Sequence, residues 1–155
     1  MLQKRGRFSI STDKKKLDRA LIHKFLSERS YWATGIPRRL VERGIKNSLC
    51  FGVYDGKQQV GFARVISDYA TYAYVADVFV LETHRGQGLS KWLMQCIRSH
   101  RDLQGLRRWV LTTRDAHGLY QQFGFYALKD PGRFMEITIP DIYLKITAKD
   151  DKSAK

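Results

Sequence analysis

The residues with the clearest chemical potential lie between Tyr74 and Ser90, where a nearly continuous apolar stretch runs into a turn that contains two glycines. Gly86 and Gly88 allow the backbone to come close to a ligand. From Leu89 onward, apolar residues recur at the spacing of one helical face, which predicts a helix. The free N–H groups at the start of such a helix, together with its macrodipole, favour an anion. The stretch therefore predicts a phosphate-binding loop.

Spacing separates three kinds of phosphate-binding motif. A dinucleotide fingerprint needs a glycine at position 91, which is Lys91, and a P-loop needs a final Gly-Lys-Ser/Thr, which is absent. What remains is Arg85-x-x-Gly88-x-Ser90, which resembles the Arg/Gln-x-x-Gly-x-Gly/Ala pyrophosphate loop of the GNAT superfamily of N-acetyltransferases. Ser90 stands where the family carries Gly or Ala. The alternative interpretation is a tight turn in front of a helix, with glycine for backbone reasons.

A second resemblance to the same superfamily lies downstream, where residues 116–125 predict a short helix that ends at Gly124. Leu119, Tyr120, Gly124 and Phe125 match the Leu-Tyr-x-x-x-Gly-Phe segment that its members commonly carry. We expect Gly124 to cap the helix at positive φ and Phe125 to begin the next strand. Because the two motifs occur in the family's order, together they are more specific than either alone.

The rest of the chain predicts an α/β domain. Apolar patterns indicate strands at residues 7–11, 49–54, 60–66, 74–80 and 109–113, with two helices between the first two strands. This order is similar to the GNAT fold, which implies a mixed, mostly antiparallel sheet with helices on both faces and two more strands after residue 125. It also implies that the strands at 74–80 and 109–113 splay apart.

Domain organisation is simple. The length of 155 residues and a hydrophobic content of 43% predict one domain, residues 1–149, followed by a flexible tail, residues 150–155. Residues 142–146 are expected to form either an extra strand or an arm that contacts a partner.

The net charge of +13 is spread along the chain and would attract anions such as the phosphates of CoA, nucleic acid or an acidic substrate. Nucleic acid is the less favoured partner, because aromatic residues are not interleaved with Lys and Arg in a recognisable binding motif. Cys50 and Cys96 fall in apolar patterns, which favours buried thiols in a reducing compartment over a disulfide or a metal site. No stretch is long and apolar enough for a signal or a membrane span, so a cytoplasmic protein without metal or membrane contact is expected.

The resemblance implies a set of cofactor-binding residues. In the family, the strand before the loop carries a bulge and leaves backbone groups free to bind pantetheine and polarise the thioester carbonyl, and a bulge re-aims backbone in this way. The residues implied to bind acetyl-CoA are Val78, Phe79, Val80, Arg85, Gly86, Gln87, Gly88, Leu89 and Ser90.

The implied chemistry is direct attack of a primary amine on acetyl-CoA, without a metal. Tyr120 is the expected general acid, since a tyrosine with a pKa of about 10 is close to an alkyl thiol at about 8.5. Its alternative is a core tyrosine on the apolar face of its helix. Asp77 is the candidate base, as the only acid in the apolar run 74–80, and its alternative is a salt bridge to Arg64 or Arg114.

Three functional classes follow. The first is an N-acetyltransferase acting on a small-molecule or peptide amine, the second a CoA-binding sensor or scaffold without turnover, and the third a basic nucleic-acid-associated protein. An intact loop together with Tyr120 favours the enzyme over the sensor. A homodimer is expected from the family resemblance only.

Overall fold

A computed structural model describes residues 1–153 of the chain and the side chains of residues 1–147. The chain divides into two compact units, of which the first comprises Met1–Asp18 with Gly44–Tyr126. The second comprises Arg19–Arg43 with the described chain from Ala127 onward. The single domain predicted over residues 1–149 stays a prediction.

The first unit is built on one six-stranded sheet whose strands lie in the order of the sequence. Every neighbouring pair is antiparallel except the last, β5 with β6, which is parallel. This confirms the mixed, mostly antiparallel sheet. The strands are β1 Leu2–Arg5, β2 Phe8–Ser11, β3 Leu49–Asp55, β4 Gln58–Ser67, β5 Tyr72–Val80 and β6 Arg108–Val110.

Strand β1 was not predicted. It contains a single apolar residue, Leu2, and all four of its residues are exposed, so no burial pattern marks it in the sequence. It forms because Gly6, at a φ of 55°, and Arg7 make a tight turn that pairs Arg5 with Phe8.

The α-helices among the described residues are α1 Arg19–Glu28, α2 Arg38–Lys46, α3 Leu89–Arg98, α4 His117–Gln121 and α5 Ile142–Ser153. The apolar face predicted for α3 is buried and packs in one hydrophobic cluster with residues of β3, β4 and β5. This packing fixes the start of α3 at the end of β5. None of the helices in the described part of the chain has both the length and the apolar character needed to cross a bilayer.

The prediction for the end of the chain was wrong in two places. Residues 125–139 contain no strand, and Phe125 is instead a partly buried residue packed against the core of the first unit. Residues 142–146 begin helix α5, and the partly buried positions 142, 143 and 146 have helical spacing. Periodicity alone does not separate a strand from a helix in so short an apolar run. Of the predicted tail, residues 154 and 155 lie outside the described residues.

Candidate active site

The loop between β5 and α3 adopts the backbone that its two glycines allow. Gly86 has a φ of 76° and Gly88, at the N-cap of α3, a φ of 73°. A residue with a side chain pays about 1–2 kcal/mol for such a conformation. A Cβ placed on either glycine would meet no protein atom within 4 Å. Conformation, and not packing, therefore requires glycine here, and the space in front of both residues is open.

The N-terminus of α3 offers backbone donors to this space. Its first hydrogen bond runs from the Trp92 N–H to the Gly88 carbonyl, at 3.0 Å, and no side chain caps the helix. The N–H groups of residues 89–91 therefore have no acceptor within the helix. They add to the positive end of the helix macrodipole, which is the usual arrangement for binding phosphate.

A cavity of about 200 Å³ lies over the loop. This volume is below the roughly 300–1,000 Å³ of a whole ligand pocket and suits part of a ligand, such as a diphosphate group. The residues that line it are Val80, His84, Arg85, Gly86, Gly88, Leu89, Ser90, Lys91 and Leu119. Most of the loop residues predicted to bind the cofactor are therefore brought together, whereas Val78, Phe79 and Gln87 do not line this cavity.

His84 also lines this cavity, and it is held by a contact that was not predicted. Its Nε2 lies 3.4 Å from Asp55 Oδ2, and its Nδ1 lies 2.8 Å from Thr83 Oγ1. Asp55 is also paired with Arg7, at 3.0 Å. The wall of the cavity is thus tied to the end of β3. The sequence gives no sign of this contact, because Asp55 lies 29 residues from His84 along the chain.

The sheet opens beside this loop. Strand β6 pairs with β5 only at Tyr72–Tyr74, and a hydrogen bond of 2.8 Å between the Tyr74 hydroxyl and Thr112 Oγ1 follows the last pair. Beyond it, β5 continues to Val80 without a strand on that side among the described residues. The two strands splay apart, as the resemblance implied.

Strand β5 also carries a bulge. The single residue Ala63 of β4 lies opposite both Asp77 and Val78 of β5. Asp77 has a left-handed backbone with a φ of 54°. The bulge therefore consists of Asp77 and Val78, and Val78 is the first residue of the predicted segment Val78–Val80.

The direction of the backbone after the bulge follows from one hydrogen bond. The Leu81 N–H donates to the Val60 carbonyl of β4, at 2.8 Å. Because backbone groups alternate sides along a strand, those of Val80 and Val78 face the splayed edge, while those of Phe79 face β4. Arg85 Nε donates to the Val80 carbonyl at 3.3 Å, which agrees with this direction.

Asp77 is bound to Arg64. Arg64 Nε donates to Asp77 Oδ2, and Arg64 Nη1 donates to Ser48 Oγ at 3.2 Å. The Arg64 and Asp77 side chains are 23% and 11% exposed. The salt-bridge interpretation of Asp77 is thus confirmed for Arg64, whereas Arg114 lies 3.8 Å from Asp115 at the surface. The role of Asp77 as a base stays a prediction.

Tyr120 is anchored in the core. It is 9% exposed, belongs to the main hydrophobic cluster, and meets the Phe125 ring edge to face at 6.1 Å between centroids. Gly124 has a φ of 83°, as expected for the cap of α4. The neighbouring residue Leu119 lines the cavity over the loop. Catalysis by Tyr120 stays a prediction.

Among the described residues, no group of three or more His, Cys, Asp or Glu side chains could hold a metal ion. The polar groups at the splay are instead backbone groups, with Arg85 and Lys91 as the nearby cations of the cavity wall. This arrangement can bind an anion at the loop and hold an extended, amide-containing chain along the free edge of β5.

Comparisons with known proteins agree with the site. The sequence profile of the acetyltransferase (GNAT) domain matches residues 46–127, which include both the loop and α4. A “putative acetyltransferase” of Gibberella zeae is 31% identical over 138 residues, covering 75% of this chain and 77% of that protein.

Two solved structures are similar. A “putative acetyltransferase belonging to the GNAT family” from Xanthomonas campestris is 54% identical, with a TM-score of 0.86 over 88% of this chain and 96% of that chain. A “predicted acetyltransferase with acetyl-CoA” from Clostridium acetobutylicum is 14% identical, with a TM-score of 0.58 over 89% of this chain and 96% of that chain. At that identity the second likeness shows the fold alone.

Proposed function

Because the chain belongs to the GNAT acetyltransferase family, we propose that it is an N-acetyltransferase that uses acetyl-CoA to acetylate a primary amine. The observation that carries the proposal is the cavity over the loop, where two left-handed glycines and an uncapped helix N-terminus face open space beside Arg85. The structural relative from Clostridium acetobutylicum, whose name includes acetyl-CoA, supports the choice of donor.

The described residues fit acetyl-CoA in two parts. The pyrophosphate would be held by the N–H groups at the start of α3 and by Arg85 and Lys91, in the open space that any Cβ at Gly86 or Gly88 would enter. The pantetheine arm would lie along the splayed edge of β5, where the backbone groups of Val78 and Val80 are directed.

Bound acetyl-CoA supplies an activated acetyl group as a thioester. A neutral primary amine attacks the carbonyl carbon, a C–N bond forms, and the C–S bond breaks. The nitrogen loses one proton and the departing thiolate gains one, so the products are an acetamide and CoA thiol. A backbone N–H of Val78 or Val80 would stabilise the carbonyl oxygen as it becomes negative, an effect worth about 3–4 kcal/mol.

Tyr120 is the proposed proton donor to the thiolate. An unperturbed tyrosine and an alkyl thiol have pKa values of about 10 and 8.5, so the transfer is energetically close to balanced. The proton that the nitrogen loses returns to Tyr120 through water. The burial of the Tyr120 ring supports this role, since a fixed ring keeps the hydroxyl in one place.

The acceptor is proposed to be a small-molecule or peptide amine. The burial of the thiols of Cys50 and Cys96 supports a reducing compartment such as the cytoplasm. The charge of +13 supports electrostatic attraction of the CoA phosphates.

The test is calorimetric titration with acetyl-CoA, followed by measurement of thiol release with a panel of primary amines. We expect the protein to bind both acetyl-CoA and desulfo-CoA, which lacks the sulfur atom, and to release thiol from acetyl-CoA with one class of amine. Binding without release from any amine would favour a sensor or scaffold over an enzyme. No binding of acetyl-CoA or CoA would contradict the proposal at its first step.

A further inference from the structure

The bulge of β5 depends on a residue that is poorly suited to its backbone. Asp77 is left-handed at a φ of 54°, a region in which glycine is favoured and aspartate is tolerated through local hydrogen bonds. The bulge sets the direction of the next two residues of β5. What holds Asp77 in place therefore determines where the backbone groups of Val78 and Val80 point.

The side chain of Asp77 is held from the neighbouring strand. Arg64 pairs in register with Ala76, the residue before the bulge, and its Nε donates to the Asp77 carboxylate. Arg64 is fixed in turn, because its Nη1 donates to Ser48 Oγ and packs against Gly44, where a Cβ would lie 3.5 Å away. Ser48 is buried, so the contact sits at a well-packed end of the guanidinium.

A carboxylate in this arrangement is badly placed to remove a proton from an amine. Asp77 Oδ2 is already the acceptor for Arg64, and protonation of the carboxylate would remove the charge that pairs with the guanidinium. The reaction also balances without a protein base when the amine enters neutral, because the proton lost by nitrogen passes through water to Tyr120.

We propose that Asp77 is a positioning residue, whose carboxylate, locked by Arg64, holds the β5 bulge that aims the backbone N–H groups of Val78 and Val80 at the splayed edge. This assignment rests on the proposed acetyl transfer for its kinetic consequences, but not for its structural ones. It replaces the general-base role that the sequence suggested for the same residue.

Two substitutions of Asp77 separate the two roles. Asp77→Asn keeps the size, tolerates left-handed backbone and can still accept a hydrogen bond from Arg64, but it is not a base at neutral pH. Asp77→Ala removes the carboxylate and suits the backbone badly. A positioning role predicts that Asp77→Asn keeps kcat within about 3-fold with an unchanged pH profile, and that Asp77→Ala lowers kcat by at least about 10-fold.

Acetyl-CoA affinity, compared with kcat, distinguishes a positioning role from a general loss of structure, which would lower both. The pyrophosphate loop is not altered by either substitution, so calorimetry should give a dissociation constant for acetyl-CoA within about 3-fold of the unsubstituted protein for Asp77→Asn. Asp77→Ala, which disturbs the backbone groups proposed to bind pantetheine, should weaken acetyl-CoA binding by a smaller factor than it lowers kcat. A loss of about 100-fold or more in kcat for Asp77→Asn, with loss of the acidic limb of the pH profile, would overturn the proposal in favour of a base.

A ligand-free measurement keeps the proposal testable if acetyl transfer itself is refuted. Amide hydrogen exchange, followed by NMR, at Phe79 and Leu81, whose backbone groups face β4 just after the bulge, should be faster in Asp77→Ala and in Arg64→Met than in the unsubstituted protein, and little changed in Asp77→Asn. If Asp77→Ala does not fold, Asp77→Gly replaces it, since glycine accepts the backbone but lacks the carboxylate. Equal exchange rates in Asp77→Asn and in Asp77→Ala, or in Asp77→Gly where it replaces Asp77→Ala, would overturn the positioning role.

Discussion

Two neighbouring regions of the first unit place left-handed backbone beside the same splayed edge, and they support it differently. The loop before α3 uses glycine at positions 86 and 88, and no side chain caps the helix that follows. The bulge of β5 uses Asp77, which is held by an ion pair with Arg64 and, through it, by Ser48. The first solution is local in the sequence and the second depends on a residue 13 positions away.

The difference concerns what each region can tolerate. Glycine adopts the left-handed conformation of the loop without steric strain, whereas a side chain at either position would enter the open space in which the ligand would lie. The bulge accepts a side chain, yet its conformation depends on a partly buried ion pair, and removing one partner of such a pair is strongly destabilising. Substitutions in the loop should therefore act on ligand affinity, and substitutions at the bulge on catalysis and stability.

The largest expected effect is in the loop. Gly88→Asp puts a side chain and a negative charge into the open space of the cavity and forces a strained φ. We expect acetyl-CoA to bind at least 100-fold more weakly, about 2.7 kcal/mol, in a calorimetric titration.

The matched control for that substitution is Gly105→Asp. Gly105 has a φ of 77°, and a Cβ there also meets no atom within 4 Å, but it does not line the cavity. It should carry the same backbone strain and leave acetyl-CoA affinity unchanged. Equal weakening in both variants would show that strain, and not the anion site, explains the loss.

Next in size is Tyr120→Phe, which removes a hydroxyl and leaves the backbone of both regions intact. We expect kcat to fall by about 100-fold or more, with acetyl-CoA affinity nearly unchanged, as for the loss of a general acid. Thiol-release kinetics and calorimetry measure the two quantities. Turnover close to that of the unsubstituted protein would leave Tyr120 as a core residue packed on Phe125.

How far the sequence predicts each region follows from the same difference. The loop, the helix after it and the cap at Gly124 were predictable, because the residues that determine them are adjacent along the chain. The splay and the bulge were implied by the family resemblance alone. Asp77 could be selected as a lone acid in an apolar strand, but its choice between Arg64 and Arg114 depends on strand register, which the sequence leaves open.

The end of the chain shows where the prediction failed. Met135 and Ile137 alternate with Glu136 as in a strand, yet they are 97% and 96% exposed and belong to no strand. Alternation predicts a strand only where one face is buried, and the sequence does not report burial. The contact of His84 with Asp55 escaped prediction for a similar reason, since it forms only once β3 and the loop are folded.

A smaller effect should appear in a double-mutant cycle at the bulge. Arg64→Met leaves the Asp77 carboxylate without its guanidinium, and for a pair exposed by 23% and 11% we expect a loss of about 2 kcal/mol in the free energy of unfolding. The same substitution in the Asp77→Gly background should cost less than about 1 kcal/mol, since no charge is left unpaired. Urea denaturation measures all four proteins of the cycle.

The control for this cycle is Arg114→Met. Arg114 and its partner Asp115 are each 67% exposed, so their separation should change the free energy of unfolding by less than about 0.5 kcal/mol. Additive losses for Arg64→Met and Asp77→Gly would mean that the ion pair does not support the bulge.

The smallest effect is expected at a third left-handed residue, Tyr69, in the turn between β4 and β5, with a φ of 60° and 49% exposure. Here the support comes from the preceding residue, because Asp68 Oδ1 accepts the backbone N–H groups of Ala70, Thr71 and Tyr72 at 2.9–3.1 Å. The hydrogen bond from the Thr71 hydroxyl makes the largest contribution, and the backbone hydrogen bonds make smaller ones, to a pKa of Asp68 that lies well below its ordinary value.

Tyr69→Asn should therefore relieve strain without loss of support, since asparagine tolerates the left-handed region better than tyrosine. We expect urea denaturation to show a gain of about 0.5 kcal/mol in the free energy of unfolding. The control is Tyr126→Asn, at a side chain that is 81% exposed and has no positive φ. A greater loss of stability in Tyr69→Asn than in Tyr126→Asn would contradict this expectation. It would mean that the contacts of the Tyr69 ring stabilise the protein by more than the left-handed backbone destabilises it.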